Sequence, residues 1–254
     1  MSILSKYIEY QKGTSPVIIS VPHGGSLECK EIPERKTGIL GIDKSTIEFA
    51  KELTNQVCFQ LKDSSLEPCM PSSVISHVPR SKIDLNREDH EAYQPESLLA
   101  REIYNLYHDK IYDIVIGNIK QFNYSLLIDL HGFEKDKRPT GFRDVDIILG
   151  TNNLGSFFSE PILKKDWDKN FRGKMIKKFL DLNIPIAPGH PRRREYVLTG
   201  GFIIQQYGAS NVHKSQAIQI EISDKIRLYD NELKSIVLTV LTDVISEELA
   251  NMKL

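Results

Sequence analysis

The sequence predicts an α/β protein with a central, mostly parallel or mixed sheet that carries helices on both faces. Short apolar runs alternate along the chain with long amphipathic helical patterns. Strands separated by crossovers of helical length favour parallel pairing. The 254 residues fit one large α/β domain or two small ones. Because no repeat or interdomain linker interrupts the pattern, we expect residues 1–254 to form a single catalytic domain.

The first half of the chain contains four predicted elements, each marked by apolar spacing and by flanking turn residues. These are a strand over residues 16–21 (PVIISV), a helix over 42–57, a strand over 72–78 (SSVISHV) and a long helix over 95–122.

The second half alternates short apolar runs with two amphipathic helical segments. The predicted strands cover residues 125–130, 144–149, 201–206 (GFIIQQ) and 217–222 (AIQIEI), and the predicted helices cover 168–182 and 233–245. The last helix has the clearest pattern, with apolar residues at i, i+3 and i+4 spacing.

Composition and charge exclude several classes of function. With 40% hydrophobic and 26% charged residues the chain is typical of globular proteins, and its net charge of -1 gives no global attraction for nucleic acid or acidic membranes. No run approaches the ~20 apolar residues that span a bilayer. Cys29, Cys58 and Cys69 lack the spacing of a zinc finger. We therefore expect a soluble, cytoplasmic protein that binds neither nucleic acid nor membrane, and the oligomeric state stays open.

Four polar motifs lie at or just beyond predicted strands. They are VPHGG (21–25), SKIDLNRE (81–88), IDLHGF (128–133) and IQIEIS (218–223). In open α/β sheets, ligands bind outside the carboxyl ends of the strands. The functional site is therefore expected where these motifs meet.

His23 and His131 occupy similar positions, each close to a strand end and each followed by glycine. Zinc binds imidazole nitrogens together with a carboxylate, and a catalytic site keeps one position for water. Asp129 lies on the same face of its strand as His131 and could orient that imidazole. The alternative is that each histidine only makes a structural hydrogen bond.

Glu221, Asn86 and Arg87 are the further candidates of these motifs. Glu221 lies in an otherwise apolar strand, where it is either a general base beside a metal or a partner of an arginine in a structural ion pair. Arg87 offers a planar fork for a substrate carboxylate and Asn86 a further donor. A solvated loop with an internal Asp84–Arg87 pair is the alternative.

The order of these motifs resembles one enzyme family. PHGG, DLNR, DLHG, GGFIIQQYG and QIEIS follow one another as in the N-formylglutamate amidohydrolases, which are in turn similar in fold to the zinc carboxypeptidases. The resemblance spans about residues 16–229. It implies a zinc-carboxypeptidase-like domain with one Zn²⁺ per chain. It also implies hydrolysis of the amide bond of a small, carboxylate-bearing N-acyl amino acid such as N-formylglutamate.

The resemblance assigns a role to each candidate residue. It implies that His23 and His131 bind the metal and that Glu221 is the base that activates water. It implies further that Asn86 and Arg87 hold the substrate carboxylate, while Arg80 steadies the developing oxyanion.

The third metal ligand departs from the carboxypeptidase pattern. Those enzymes carry a glutamate three residues after the first histidine, where this chain has Ser26. We expect Asp43 to replace it, with Glu28 as the second choice. Asp43 could instead cap the following helix, which we predict to begin there.

Two further alternatives concern the substrate. Arg193, in the run Arg192–Arg194, could supply a second arginine for a dicarboxylate or belong to a solvated loop. The same metal chemistry would also suit a carboxypeptidase or an aminoacylase acting on short peptides. A non-catalytic module that binds anions through its arginines is the alternative of a different class.

Overall fold

The computed structural model describes residues 3–62, 70–138 and 144–251, and within them the fold is built on one seven-stranded sheet. The strands are β1 (Ile8–Gln11), β2 (Val17–Val21), β3 (Ser72–Ser76), β4 (Ser125–Phe133), β5 (Ile147–Gly150), β6 (Ile186–Ala187) and β7 (Ser215–Ser223). Their order across the sheet is β1-β3-β2-β4-β7-β5-β6.

The four central strands β3, β2, β4 and β7 are parallel to one another. β1 pairs antiparallel with β3, and β5 pairs antiparallel with β7. The sheet is therefore mixed with a parallel centre, as predicted. The carboxyl ends of the central strands lie along one border, which we call the carboxyl edge.

Helices cover both faces of the sheet. They are α1 (Thr46–Lys62), α2 (Asp89–Ala92), α3 (Leu98–Phe122), α4 (Phe171–Asp181), α5 (Phe202–Tyr207) and α6 (Asn231–Asn251). Side chains of α1, α4 and α6 share one apolar core with Leu126, Ile128 and Leu130 of β4. Side chains of α3 and α5 share the other core with Leu127. This division follows from the two-residue alternation of side chains along a strand, and it confirms the predicted α/β class.

One predicted strand is wrong, because residues 202–207 form the helix α5. Ile203, Ile204 and Tyr207 are buried on its inner side, and the N–H of Ile203 donates to Asn86 Oδ1 at 2.8 Å. Burial and this bond to the first turn stabilise the helix. A short apolar run alone does not distinguish a strand from a buried helix.

Some boundaries also differ from the predictions. The helix expected from residue 42 begins at Thr46, and the short strands β1 and β6 were not predicted. Among the described helices, none combines the length and the apolar character needed to cross a membrane. Cys29 and Cys58 are free cysteines, and Cys69 lies outside the described residues.

Candidate active site

Polar side chains replace the apolar core on the α3–α5 side of the carboxyl edge. Asp129 and His131 point to the same face as Leu127, and Glu221 to the same face as Ala217. Backbone pairing brings His131 opposite Glu221 and Asp129 opposite Gln219. The register of β4 and β7 therefore places the predicted metal ligand beside the predicted base.

Three buried ligand atoms converge at this edge. His23 Nδ1 lies 3.2 Å from His131 Nδ1 and 3.7 Å from Asp43 Oδ2. His131 Nδ1 lies 3.3 Å from the same Asp43 oxygen. Tetrahedral zinc with bonds of about 2.0–2.1 Å separates its ligand atoms by about 3.3 Å. The donor set and the spacing of this metal cluster, His23–Asp43–His131, therefore fit one such cation.

A carboxylate holds the far nitrogen of each imidazole. His23 Nε2 lies 2.7 Å from Asp84 Oδ1, and His131 Nε2 lies 2.8 Å from Asp129 Oδ2. These contacts turn the Nδ1 of each ring toward the cluster. Burial lowers the pKa of His131, but the carboxylates of Asp129 and Asp43 outweigh burial and raise it well above its usual range. Metal-binding histidines commonly have such partners. The arrangement matches the orienting role predicted for Asp129 and adds Asp84 in the same role for His23.

The electrostatic environment keeps the carboxylates of the site ionised. Burial raises the pKa of Asp43, but its contacts with His131 and His23 outweigh burial and lower it well below the usual range. Burial likewise raises the pKa of Asp84, but His23, Arg80 and Arg35 reverse the effect and lower it. Both carboxylates are therefore negatively charged at neutral pH.

Asp43, and not Glu28, is the carboxylate that meets the histidines. Its Oδ2 also accepts a hydrogen bond from the N–H of Gly132 at 3.1 Å. Glu28 is exposed and pairs with Lys30 at 3.1 Å. Because α1 begins three residues after Asp43, the geometry favours a ligand over a helix cap.

Glu221 is held by neighbours on both sides. Its Oε1 accepts a hydrogen bond from Gln219 Nε2 at 2.9 Å, and its Oε2 lies 3.8 Å from Arg138. Gln219 is in turn fixed by the N–H of Gly201, which donates to its Oε1 at 2.7 Å. Both interpretations of Glu221 thus have a structural counterpart, since it has an arginine partner and lies beside the metal cluster.

The loop after β3 brings three predicted residues to the site. Arg80 Nε donates to Asp84 Oδ2 at 3.1 Å, and Arg87 Nε lies 3.9 Å from the same atom. Asn86 is buried, and its amide links the start of α5 to Gln219. Asn86 is therefore largely engaged within the protein, whereas Arg87 is half-exposed.

Arg193 takes no part in this arrangement. It is exposed and lies outside the set of described residues that line the cavity, and its backbone carbonyl accepts a bond from buried Arg172. The geometry gives its predicted role in substrate binding no support.

A cavity of about 550 Å³ opens beside the metal cluster. Asp43, His131 and Glu221 line it, together with Arg80, Asn86 and Arg87. The cavity is therefore lined by the predicted metal ligands Asp43 and His131, by the predicted general base and by the predicted substrate-binding residues. Arg193 and the deeper His23 are the exceptions.

Arg227 is a cavity residue that the sequence did not reveal. Its buried guanidinium donates to the carbonyls of Ile222 and Phe133 at 3.0 and 3.2 Å. It also lies against Gly132, where an added Cβ would be 2.3 Å from its Cζ. The glycine of DLHG is thus needed for close packing. No sequence pattern distinguishes Arg227 from a surface arginine.

Comparisons with known proteins bear on the fold. No protein-family model matches the sequence, and no curated protein matches it. Among solved structures, N-formylglutamate amidohydrolase from Ralstonia eutropha JMP134 superposes with a TM-score of 0.64 at 15% identity, over 97% of this chain and 98% of that one. A gene product from Agrobacterium tumefaciens superposes with the same score at 13% identity, over 98% of both chains.

Identities this low establish shared architecture only. The alignments cover nearly the whole of each chain, so they concern the entire sheet and its helices rather than one motif. The chain therefore shares the α/β fold of the Ralstonia N-formylglutamate amidohydrolase, and at the level of the fold the resemblance indicated by its motifs is confirmed.

Proposed function

We propose that this chain is a metal-dependent amidohydrolase that cleaves the amide bond of an N-acyl amino acid. The observation that carries the proposal is the metal cluster, in which two carboxylate-held imidazoles and Asp43 converge beside a cavity. Two imidazoles and a carboxylate are a donor set typical of catalytic zinc, and we propose one Zn²⁺ per chain. The name of the Ralstonia relative supports an amide substrate.

The side chains around the cluster supply the remaining chemistry. A cation held there would polarise the acyl oxygen and acidify a water molecule. Glu221 takes a proton from the attacking water and passes it to the leaving nitrogen. A C–O bond forms as the C–N bond breaks, and the products are a carboxylic acid and an amine.

Two arginines divide binding from catalysis in this proposal. Arg80, whose Nε is held by Asp84, lines the cavity and offsets the charge that develops on the acyl oxygen. Arg87, with its half-exposed fork, holds the carboxylate of the amino acid. Asn86 positions the loop more than it contacts substrate, because its side-chain oxygen is already bonded to Ile203.

The proposal is tested by metal analysis together with amine release. Protein purified without added metal should contain about one zinc per chain and hydrolyse N-acyl-glutamates. His131→Ala should lose both the metal and the activity. His90→Ala is the matched control, because His90 is exposed and lies outside the cavity lining. Full hydrolysis after removal of all metal, or no hydrolysis by the zinc-loaded protein, would contradict the proposal.

A further inference from the structure

The cavity is larger than a formylated amino acid requires. Its volume of about 550 Å³ falls within the range of roughly 300–1,000 Å³ that encloses drug-sized ligands. N-formylglutamate has only about a dozen non-hydrogen atoms, and its acyl part is a single carbon. Much of the cavity would remain unfilled by such a substrate.

Part of the cavity lining is apolar. The apolar side chains that line the cavity are Ile39, Ile42, Phe133, Leu198, Leu228 and Tyr229. Leu228 is 37% exposed and Tyr229 75% exposed, and both lie beside a polar site. Exposed apolar surface that adjoins a cavity marks a binding surface more often than a random position. We call Leu228 and Tyr229 the apolar rim.

Strand order separates this rim from the arginine loop. Ile39 belongs to the arginine side, because Arg35 Nη1 donates to the carbonyls of both Ile39 and Arg80 at 3.0 and 3.2 Å. Arg80 and Arg87 follow β3, whereas Leu228 and Tyr229 follow β7. Between β3 and β7 lie β2 and β4, which lead to the two histidines of the metal cluster. Neighbouring strands are about 4.8 Å apart, so the two groups arise from opposite sides of the cluster.

A bound N-acyl amino acid would span this arrangement. On the proposed function, the amino-acid carboxylate lies toward Arg87 and the scissile amide lies at the cluster. The acyl group, on the other side of the scissile bond, is then directed toward the β7 side and the apolar rim. A formyl group has no hydrocarbon to place there, whereas a chain of several methylenes would bury apolar area.

We infer that the substrate carries an apolar acyl chain, longer than formyl or acetyl, that lies against Leu228 and Tyr229. This inference rests on the proposed amidohydrolase function. The reaction is the same hydrolysis: water adds to the acyl carbon, the C–N bond breaks, and a medium-chain carboxylate and the free amino acid are released.

The test is a series of acyl-glutamates. We expect kcat/KM to rise about two- to fourfold per methylene from formyl through acetyl, butyryl and hexanoyl to octanoyl, as expected for burial of CH₂ groups. Tyr229→Ala should lower the octanoyl-to-formyl ratio of kcat/KM about tenfold. Tyr112→Ala is the matched control, because Tyr112 is 52% exposed on α3 and does not belong to the cavity lining.

A binding measurement separates recognition from turnover. In the Glu221→Gln variant loaded with zinc, octanoyl-glutamate should bind at least about a hundredfold more tightly than formyl-glutamate, with a more negative heat-capacity change. Tyr229→Ala in that background should reduce the difference about tenfold.

The outcomes distinguish the inference from the function on which it rests. Hydrolysis of formyl-glutamate with no gain from longer chains overturns the inference and leaves the proposed function intact. A Tyr229-dependent preference for N-acetyl-phenylalanine over octanoyl-glutamate also overturns it, because the rim would then bind the amino-acid side chain. No hydrolysis of any acyl-glutamate by the zinc-loaded protein overturns the proposed function itself.

Discussion

The Nδ1 atoms of His23 and His131 face each other at 3.2 Å, while the Nε2 of each ring donates to a buried carboxylate. Two rings held in this way direct both Nδ1 atoms at one point. Such an arrangement is repulsive unless a cation or a proton lies between the nitrogens. The pair is thus organised for a positive ion, and the nearby Asp43 carboxylate strengthens this preference.

Replacement of Asp84 by asparagine should weaken metal binding by about 10- to 100-fold, because Asp84 fixes the ring of His23 through a 2.7 Å bond. The affinity is measured by competition with a chelator of known zinc affinity. Asp113→Asn, on the exposed side of α3, should leave it unchanged. Unaltered affinity in Asp84→Asn would show that Asp84 serves only its arginine partners Arg35 and Arg80.

Replacement of Glu221 by glutamine should preserve metal content and fold but lower kcat by about 10²–10⁴-fold, the contribution usual for a general base. Amine release and metal content are measured on the same sample. Glu232→Gln, at the exposed start of α6, should match the unaltered protein. If Glu221→Gln retained full activity, Glu221 would be the structural partner of Arg138 rather than the base.

Replacement of Arg172 by methionine should destabilise the fold by about 3–5 kcal/mol, because the carboxylate of Glu195 would remain buried without its partner at 3.0 Å. Urea unfolding measures the loss. The exposed neighbour Arg194→Met should be nearly neutral. The double variant Arg172→Met/Glu195→Gln should recover part of the loss, and a double variant as unstable as the single one would assign the loss to the carbonyls that Arg172 holds.

The stability of the fold should fall as the pH drops from about 6.5 to 4, partly through His108. Burial lowers the pKa of His108 to about 4. Between this value and the unfolded value of about 6.5, the unfolded chain binds the proton and the folded chain does not, so unfolding becomes easier by about 3 kcal/mol.

Urea unfolding at pH 7 and pH 5 checks this expectation. His108→Gln should show a smaller loss between the two pH values, because glutamine does not titrate. The comparison within one variant removes the constant effect of the changed contact with Tyr207, whose hydroxyl lies 2.9 Å from His108 Nδ1. Equal losses in both proteins would exclude His108 as a source of the pH dependence.

The sheet and the proximity of His23 to His131 were predictable because both follow from the strand pattern along the chain. The two-residue alternation of LLIDLHGF places Asp129 and His131 on one face, and the parallel pattern brings strand ends together. The choice of Asp43 over Glu28 rested on the resemblance, and the geometry favours it.

Other parts of the site depend on contacts that no local pattern encodes. The sequence suggested Asp84 only as a partner of Arg87 in a solvated loop. Its full burial against His23 results from the path of the loop after β3. The helix α5 was mistaken for a strand because tertiary burial and Asn86 decide its conformation. Arg227 becomes notable only when the turn after β7 directs it onto Gly132.

His23 and His131 belong, respectively, to the residues just beyond β2 and to β4, which are neighbouring parallel strands. A slip of one residue in this pairing would exchange the two faces of one strand and direct its histidine toward the opposite core. A cation held by both imidazoles would therefore stabilise only the native pairing of these strands. Zinc added during refolding should therefore raise the yield of chains with the native strand register, before any substrate is present.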